Sequence, residues 1–213
     1  MQGGDLYMNA DFKINGIRIE TKRLLLRSFK NSDLDDFNAY ASVEGVGEMA
    51  GWKHHESKEE SRAVLNSFID RDKTFAIVLK ESGKVIGSLG IEEYGMDDAL
   101  TEFADYKGRE IGYVLDKTYW GKGLMPEAVK AVIDYLFNGI HLDFLLCGYF
   151  TFNNQSKRVQ EKCGFKPYRR IISDTKMGTK EETILNLLVN PDKKIALNFS
   201  HPETLIYEDV RGK

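Results

Sequence analysis

Short stretches that alternate hydrophobic with polar residues, or that join β-branched and aromatic residues, recur along the chain and predict strands. They lie at residues 18–27, 74–80, 85–93, 109–116, 144–150, 166–172 and 182–189. Residues 81–84 read Glu-Ser-Gly-Lys, which is typical of a hairpin turn, so the strands on either side of them are predicted to pair. The last two strands are predicted to close the sheet as a second hairpin.

Hydrophobic residues spaced three and four positions apart predict helices between these strands. Their approximate bounds are residues 34–41, 57–71, 125–137 and 154–163. Asn31, Ser32 and Asp33 precede the first helix and are typical of a helix start. Gly139 and Gly164 follow the last two helices, where glycine commonly ends a helix.

This order of elements predicts a mixed α/β (α+β) fold, with helices packed against a single sheet. The domain is expected to cover residues 17–190. Residues 1–16 lack periodicity and are expected to form a loose leader, and residues 191–213 form a C-terminal tail after Asn190-Pro191. Residues 45–51 and 95–108 are predicted to be loops.

The chain has 213 residues, with 30 basic and 33 acidic side chains and a net charge of −3. This balance argues against a nucleic-acid-binding protein, which usually presents a basic face. No apolar run approaches the roughly 20 residues of a membrane span, and Gly3, Gly4 and Asp5 interrupt any signal-peptide core. Cys147 and Cys163 lack metal-binding spacing, so we expect reduced core residues in a cytoplasmic protein.

Candidate chemistry is concentrated in residues 113–128, where a strand leads through Gly121 and Gly123 into a helix. The first amides of a helix have no internal partner and lie at the positive end of its dipole, so a phosphate can approach them past two glycines. Leu124 excludes a P-loop, and Pro126 excludes the Rossmann glycine pattern. Glycines that serve only a tight strand-to-helix turn are the alternative.

The segment Trp120-Gly-Lys-Gly-Leu-Met125, followed by Glu127-Ala128, resembles the acyl-CoA pyrophosphate loop of the GNAT N-acetyltransferases. Within that superfamily it is most similar to the RimJ/RimL-type branch of ribosomal-protein N-terminal acetyltransferases. The general pattern, Q/R-x-x-G-x-G/A, is not matched at Trp120 or Met125. Further segments similar to this branch occur in the expected order, at residues 20–27, 85–90, 109–113, 153–156 and 161–165.

The resemblance implies acetyl-CoA or CoA as cofactor, bound where two strands of a mixed, mostly antiparallel sheet splay apart. The pantetheine arm is then expected to bond the backbone of Tyr113, Val114 and Leu115. The pyrophosphate is expected in the loop and first helical turn, which comprise Trp120, Gly121, Lys122, Gly123, Leu124 and Met125. A solvated surface position is the alternative for the Lys122 side chain.

Asn153 and Ser156 match an N-x-x-S pattern that binds cofactor in this branch, with the serine sometimes close enough to protonate the leaving thiolate. Helix capping is the alternative for both residues. Elsewhere in the superfamily a tyrosine one turn further on is the acid, and that position is Gln160 here. Arg158 belongs to a basic cluster that either meets the ribose 3′-phosphate or forms a solvated face.

Glu110, on the strand that leads to the glycine loop, is a candidate general base, and so are Glu92 and Glu93 at the end of the neighbouring strand. Alternation places Glu92 and Glu93 on opposite faces of the sheet, so at most one of them faces the cleft. A solvated surface carboxylate is the alternative for each. His54 and His55 lie in a loop where this branch builds its acceptor pocket, or they pack there among aromatic residues.

Together with the resemblance, these residues predict an acetyl-CoA-dependent N-acetyltransferase that acts on a primary amine by direct attack, without a metal. Ser156 and Glu110 are the catalytic candidates. Because no strongly perturbed base is evident, we expect an acceptor of low pKa, such as a protein N-terminal amine. The alternatives are a polyamine or aminoglycoside acceptor, or a non-catalytic acyl-CoA-binding module. We expect no nucleic-acid or membrane partner, and a monomer or homodimer.

Overall fold

A computed structural model describes residues 9–94, 103, 105–195 and, for the backbone alone, 206–208. The strands are β1 (Ile19–Glu20), β2 (Leu24–Ser28), β3 (Thr74–Leu79), β4 (Val85–Glu92), β5 (Gly108–Leu115), β6 (Phe144–Phe150), β7 (Lys166–Asp174), β8 (Lys180–Val189) and β9 (Ile206–Glu208). The helices are α1 (Leu34–Ala41), α2 (Lys58–Arg71), α3 (Leu124–Asp134) and α4 (Asn154–Lys162). Short 3-10 turns occur at Asn31–Asp33, Glu48–Ala50 and Lys117–Tyr119, and a π-helical turn at Tyr135–Gly139.

The strands form one nine-stranded sheet in the order β1-β2-β3-β4-β5-β6-β8-β7-β9. Neighbouring strands are antiparallel, except that β5 pairs with β6 and β7 pairs with β9 in parallel. The predicted α/β domain, with a mixed and mostly antiparallel sheet flanked by helices, is confirmed.

Alternation along the strands divides the hydrophobic core between the two faces of the sheet. Ile77 and Ile111 pack in one cluster with the apolar side of α3. Ala76 and Val78 point the other way and pack with residues of α1 and α2. The helix that follows the glycine loop therefore covers one face, and the first two helices cover the other.

The parallel pairing of β5 with β6 is short. It runs only from Gly108 opposite Phe144 to Glu110 opposite Leu146, although both strands continue beyond these residues. Farther along, β5 remains paired with β4, and β6 remains paired with β8. The two halves of the sheet therefore separate beyond Glu110, which confirms the expected splayed strands.

The expected loose leader is wrong for residues 9–16, which pack against the domain. Phe12 and Ile14 are buried in the cluster that contains α3. The amide of Ala10 donates to the carbonyl of Gly108 at 3.3 Å, and the buried guanidinium of Arg109 donates to the carbonyl of Ala10. Two apolar residues are too few to produce a periodic signal, yet their burial holds the segment. Residues 1–8 lie outside the described part.

Two further differences concern strands. The predicted first strand is divided into β1 and β2 by a turn, in which the amide of Thr21 donates to the carbonyl of Leu24 at 2.9 Å. From the tail, β9 joins the sheet beside β7. Most of the predicted loop 95–108 lies outside the described residues. In the part of the chain that is described, no helix is long and apolar enough to cross a membrane.

Candidate active site

The separation of β5 and β6 opens a cleft of about 490 Å³ at the middle of the sheet. Its walls come from β5, β6, α4 and the turn Glu48–Ala50, and the glycine loop closes one end. Most of the predicted site residues line it, namely Glu110, Tyr113, Val114, Leu115, Trp120, Gly121, Gly123, Leu124, Met125, Asn153, Ser156 and Arg158. Of the residues expected to bind the cofactor, Lys122 is the one that does not line the cleft.

Backbone groups of β5 face this cleft where β6 has moved away. The amide of Asp116 donates to a β4 carbonyl at 2.9 Å. Backbone groups point alternately to the two sides of a strand. Those of Tyr113 and Leu115 therefore turn toward the gap, whereas those of Val114 turn toward β4. The backbone role expected for Val114 is accordingly not supported, although the residue lines the cleft.

The carbonyl of Leu115 already accepts a hydrogen bond from Trp120 Nε1 at 2.7 Å. This bond, together with burial against both core clusters, gives Trp120 a structural role at the base of the loop. The amides of Tyr113 and Leu115 and the carbonyl of Tyr113 are then the groups on this edge of β5 that can bond an extended ligand.

The loop between β5 and α3 has the backbone that its glycines were expected to allow. Gly121 and Gly123 have φ angles of +74° and +72°, which glycine adopts without steric cost. No other heavy atom lies within 4 Å of where a Cβ on Gly121 would stand. Within the described residues, none of the amides of residues 121–125 donates to a protein acceptor. Free amides at the positive end of a helix suit a pyrophosphate.

A carboxylate in the first turn of α3 anchors this loop. Glu127 accepts hydrogen bonds from Thr21 Oγ1 at 2.6 Å, from the Arg23 amide at 2.9 Å and from Arg23 Nε at 2.7 Å. Arg23 also donates to the carbonyl of Lys122 at 2.9 Å. The turn between β1 and β2 is thereby tied to both the loop and the helix. Sequence reasoning placed Arg23 and Glu127 in separate motifs and missed this contact.

Asn153 fulfils the capping alternative and adds a second contact. Its Oδ1 accepts a hydrogen bond from the Ser156 amide at 3.0 Å, and its Nδ2 donates to the carbonyl of Met49 at 3.0 Å. Asn153 therefore joins the start of α4 to the turn Glu48–Ala50 on the opposite wall.

The hydroxyl of Ser156 does not cap the helix. Its Oγ lies 3.0 Å from the hydroxyl of Tyr113 and accepts a hydrogen bond from Gln160 Nε2 at 3.2 Å. Gln160 is buried and also donates to the Gly148 carbonyl at 3.0 Å, while its Oε1 accepts from Asn186 at 2.8 Å. Gln160 is thus a structural residue that holds Ser156.

The basic side chains of α4 and β7 divide into two groups. Arg158 and Lys162 line the cleft, where they can meet phosphate. Arg170 lies outside the cleft and pairs with Glu182 at 2.8 Å. The Lys122 ammonium lies 5.1 Å from the centroid of the Tyr119 ring. Lys122 is exposed and does not line the cleft, which agrees with the alternative of a solvated surface position.

The carboxyl of Glu110 stands where β5 and β6 begin to separate, half-buried in the wall of the cleft. Burial and the negative charge of Glu92, its cross-strand partner on β4, raise the pKa of Glu110 to about 7. Glu93, the other candidate base at the end of that strand, does not line the cleft. It pairs with Lys73 at 2.6 Å and with Arg109 at 3.3 Å, and the hydrogen bond from Lys73 lowers its pKa. Glu110 is therefore the perturbed carboxyl of the cleft, which is typical of acid–base sites.

The wall opposite the glycine loop is mainly apolar. Its residues come from the turn Glu48–Ala50, the segment before it, and the end of β6, and they include Val46, Met49, Tyr149 and Phe150. Phe152 is exposed and stacks on Phe150, with ring centroids 5.4 Å apart. These residues were not singled out from the sequence, because only the fold brings the turn beside β6.

His54 and His55 do not line the cleft, so packing accounts for them. His55 is buried, with Nδ1 2.8 Å from Ser61 Oγ and its ring 5.2 Å from that of Trp52, and burial lowers its pKa. His54 Nδ1 lies 2.8 Å from a carboxyl oxygen of Glu48.

Both cysteines are free, and Cys147 lines the cleft. Burial raises the pKa of Cys147, and it raises the pKa of Cys163 to about 11. Thiols that stay protonated are poor nucleophiles, so neither is assigned a catalytic role. No cluster of histidine, cysteine and acidic side chains able to hold a metal occurs among the described residues.

The fold that carries this cleft occurs in known proteins. The family model described as "Acetyltransferase (GNAT) domain" matches residues 23–166. The chain belongs to the GNAT acetyltransferase family. The resemblance read from the sequence is confirmed at this level, and membership in the family supports acetyltransferase activity.

A protein of similar sequence is also described as an N-acetyltransferase. The chain is 32% identical over 124 residues to the probable N-acetyltransferase YjcK of Bacillus subtilis (strain 168). That match covers 58% of this chain and 65% of YjcK, so it spans less than two thirds of the relative.

Solved GNAT structures share the fold over most of the chain. An acetyltransferase from Bacillus anthracis has a TM-score of 0.71 and 22% identity, covering 82% of this chain and 99% of that one. The ribosomal-protein-S5-alanine acetyltransferase from Vibrio fischeri has a TM-score of 0.63 and 24% identity, covering 84% and 99%. A spermidine N-acetyltransferase from Vibrio cholerae, solved with CoA and spermine, has a TM-score of 0.65 and 16% identity, covering 80% and 97%. Identities this low establish the shared fold and no acceptor.

Proposed function

We propose that this GNAT protein transfers the acetyl group of acetyl-CoA to a primary amine, with Glu110 as the base that accepts the proton of the amine. The observation that carries the proposal is the half-buried carboxyl of Glu110, with a pKa of about 7, in the wall of the cleft. About half of such a group is ionised at pH 7, and a base whose pKa lies near the working pH is the most effective.

The residues around the cleft fit acetyl-CoA. The free amides of residues 121–125 suit the pyrophosphate, and Arg158 and Lys162 add positive charge. The backbone groups of Tyr113 and Leu115 suit the amide-containing pantetheine arm. The bound cofactor supplies an activated thioester, and an amide of β5 that faces the gap can donate to its carbonyl oxygen as negative charge develops.

An α-amine is the acceptor that gives up its proton to Glu110 at the lower cost. An α-ammonium group has a pKa near 7.8 and a lysine ammonium near 10.4. At 1.36 kcal/mol per unit, moving the proton to a carboxylate of pKa about 7 costs roughly 1.1 kcal/mol from the α-ammonium and roughly 4.6 kcal/mol from the lysine.

The sequence led us to a low-pKa acceptor for a different reason, namely the lack of a perturbed base. That reason is wrong, because the pKa of Glu110 is raised by burial and by Glu92. The lower pKa of an α-ammonium still supports the same acceptor class, a protein or peptide N-terminus, because its proton is moved to Glu110 at the lower cost. The composition of the cleft agrees, since Glu110 is the one carboxylate among its described lining residues, whereas a polyamine carries several positive charges to be matched.

A panel of acceptors tests the proposal, with CoA release from acetyl-CoA measured at pH 7. Peptides that begin with Ala or Ser are compared with Nα-blocked peptides containing one lysine, with spermidine and with an aminoglycoside. We expect the highest kcat/KM with the free N-terminal peptides. A preference for the blocked lysine peptide, spermidine or the aminoglycoside would overturn the acceptor assignment and keep the donor. CoA binding without release for any acceptor would instead indicate a non-catalytic acyl-CoA-binding module.

A further inference from the structure

Gly112, in the middle of β5, lacks a side chain although nothing in the described part of the chain requires this. All the other glycines of the described residues either have a positive φ angle or would place a Cβ within 3.2 Å of another protein atom. Gly112 has no positive φ angle, and no described atom beyond its chain neighbours lies within 4 Å of where its Cβ would stand. A glycine inside a strand weakens the strand, and it often marks a place that a ligand approaches closely. The space over Gly112 is therefore a candidate binding position.

This space lies beside the proposed base. Gly112 lines the cleft and is exposed, although β5 lies in the middle of the nine-stranded sheet. Glu110 precedes it by two residues, on the same face of β5 and about 7 Å away along the strand. Gly148 on β6 borders the same carboxyl, since a Cβ on Gly148 would stand 3.8 Å from Glu110 Oε1. Two glycines therefore keep the surroundings of this carboxyl free of side chains.

Alternation along β5 separates the two sides of the cleft. Ile111 and Leu115 pack in the cluster on the face covered by α3, the helix that begins at the glycine loop. Val114 packs with the cluster of α1 and α2 on the opposite face. Because alternate residues of a strand share a face, Glu110 and Gly112 also lie on this opposite face. The space over Gly112 is therefore on the side of the sheet away from the proposed pyrophosphate site, where an acceptor has room.

We propose that Gly112 determines which acceptors fit, by leaving room for the α-carbon and a small side chain of the first residue of an N-terminal peptide. The inference rests on the proposed function and names the part of the acceptor that this position selects. An α-amine within hydrogen-bond distance of Glu110 has its α-carbon one bond away and its first side-chain atom two bonds away, so both come to lie over Gly112. Val46 and Val114 line the cleft on this face, so a small uncharged side chain, such as that of alanine, suits the space.

Gly112→Ala is a suitable probe because the chain itself accommodates the added methyl group. The backbone of Gly112 lies outside the positive φ region, and the methyl group would meet no described atom within 4 Å. Replacing glycine by alanine at such a position reduces the conformational entropy of the unfolded chain. We therefore expect Gly112→Ala to melt at the same temperature as wild type or at a higher one, so that a loss of acceptor binding is not caused by unfolding.

The test measures binding to the full chain by calorimetry, with CoA and with two conjugates of CoA. In each conjugate the sulfur of CoA is joined through an acetyl group to the α-amine of a tripeptide, which begins with Gly in one and with Ala in the other. The conjugates span the donor and acceptor positions and need no base. We expect Gly112→Ala to weaken binding of the Ala conjugate about tenfold and of the Gly conjugate less than about threefold, with CoA affinity changed less than about twofold.

Gly148→Ala is the matched variant, because it adds the same methyl group on the β6 side of the Glu110 carboxyl. It narrows the position of the amine rather than that of the side chain, so it is expected to weaken both conjugates alike. In turnover assays, Gly112→Ala is expected to lower the ratio of kcat/KM for an Ala-starting peptide over a Gly-starting peptide about tenfold.

An equal loss for both conjugates in Gly112→Ala, or a loss for neither, would overturn the inference. Weaker CoA binding in this variant would do the same, because it would place the donor over Gly112. If the conjugates bind to wild type no better than CoA, the acceptor class of the proposed function fails and the inference fails with it. If they bind and Gly112→Ala discriminates between them while no peptide is acetylated, the inference holds and the proposed catalysis fails.

Discussion

Replacing Glu110 by glutamine removes the proposed base while preserving the shape of the side chain. At pH 7 about half of the wild-type carboxyl groups are ionised, since their pKa is about 7. Loss of a general base typically lowers the rate on the order of 100-fold or more, and we expect about 100-fold in kcat/KM at pH 7 for an N-terminal peptide. Between pH 7 and pH 9 the neutral fraction of an amine of pKa 7.8 rises from about 14% to about 94%, which raises the rates of wild type and variant by the same factor of roughly seven. Only wild type also gains from the ionisation of Glu110, so the loss is expected to be about twofold larger at pH 9 than at pH 7.

The assay is the dependence of kcat/KM on pH between 5.5 and 9.5. In the wild type the rate is expected to rise through two ionisations, that of Glu110 near 7 and that of the amine near 7.8. In Glu110→Gln only the ionisation of the amine remains. CoA affinity measured by calorimetry is expected to be unchanged. Glu93→Gln is the control, because Glu93 is paired with Lys73 outside the cleft. A Glu110→Gln variant that keeps the ionisation near 7, or loses less than about threefold at pH 7, would refute the assignment.

The same substitution has a predicted effect on stability that does not depend on activity. Folding raises the pKa of Glu110 from 4.5 to about 7, so the folded state favours the protonated carboxyl. Its contribution to stability is fully present below pH 4.5 and is lost as the pH rises through 7. At pH 8 the cost of the ionised carboxyl is on the order of 1–3 kcal/mol, reduced from the full shift because the group is partly solvated. Glu110→Gln is therefore expected to have a larger free energy of unfolding than wild type at pH 8, with the difference shrinking toward pH 4.5. Equal unfolding curves at both pH values would contradict the raised pKa.

Three further substitutions test the surroundings of the cleft. Gly123→Ala is expected to weaken CoA binding at least about tenfold, because a Cβ enters the glycine loop at a φ of +72°. Gly83→Ala is the control, since it has the same backbone strain at +71° in a distant hairpin and should leave CoA affinity unchanged. Equal CoA affinities of the two variants in calorimetry would rule out the glycine loop as the phosphate site. Glu92→Gln removes the neighbouring negative charge and should lower the pKa of Glu110, moving the acid side of the pH–rate profile to lower pH; an unmoved profile would exclude this coupling. Glu127→Gln replaces a charged acceptor by a neutral one and is expected to weaken CoA binding about threefold to tenfold, with a lower melting temperature. A lower melting temperature with full CoA affinity would show that the hydrogen bonds from Thr21 and Arg23 to Glu127 do not shape the loop.

Local sequence patterns determined most of the elements of this protein. Strand and helix periods depend on neighbouring residues, so residues 74–80, 109–116, 144–150 and 154–163 were placed within a few residues of their observed bounds. The glycine loop was recognisable for the same reason, because the positive φ angles of Gly121 and Gly123 are a local requirement. The backbone of the glycine-loop end of the cleft could therefore be predicted from the sequence, and the resemblance to the family supplied the proposal that this end holds the cofactor.

Only the tertiary structure decided the chemistry of the other groups. The pKa of Glu110 depends on burial between separating strands and on Glu92, which the sheet register places opposite it. Arg23 and Glu127 are 104 residues apart in sequence, and Tyr113 and Ser156 are 43 residues apart. Hydrogen bonds and pKa shifts depend on distances of a few ångströms and on solvent exposure. Neither quantity is encoded in the alternation of residues along one strand, so the charged and hydroxyl groups of the site acquire their roles only when the sheet and its helices assemble.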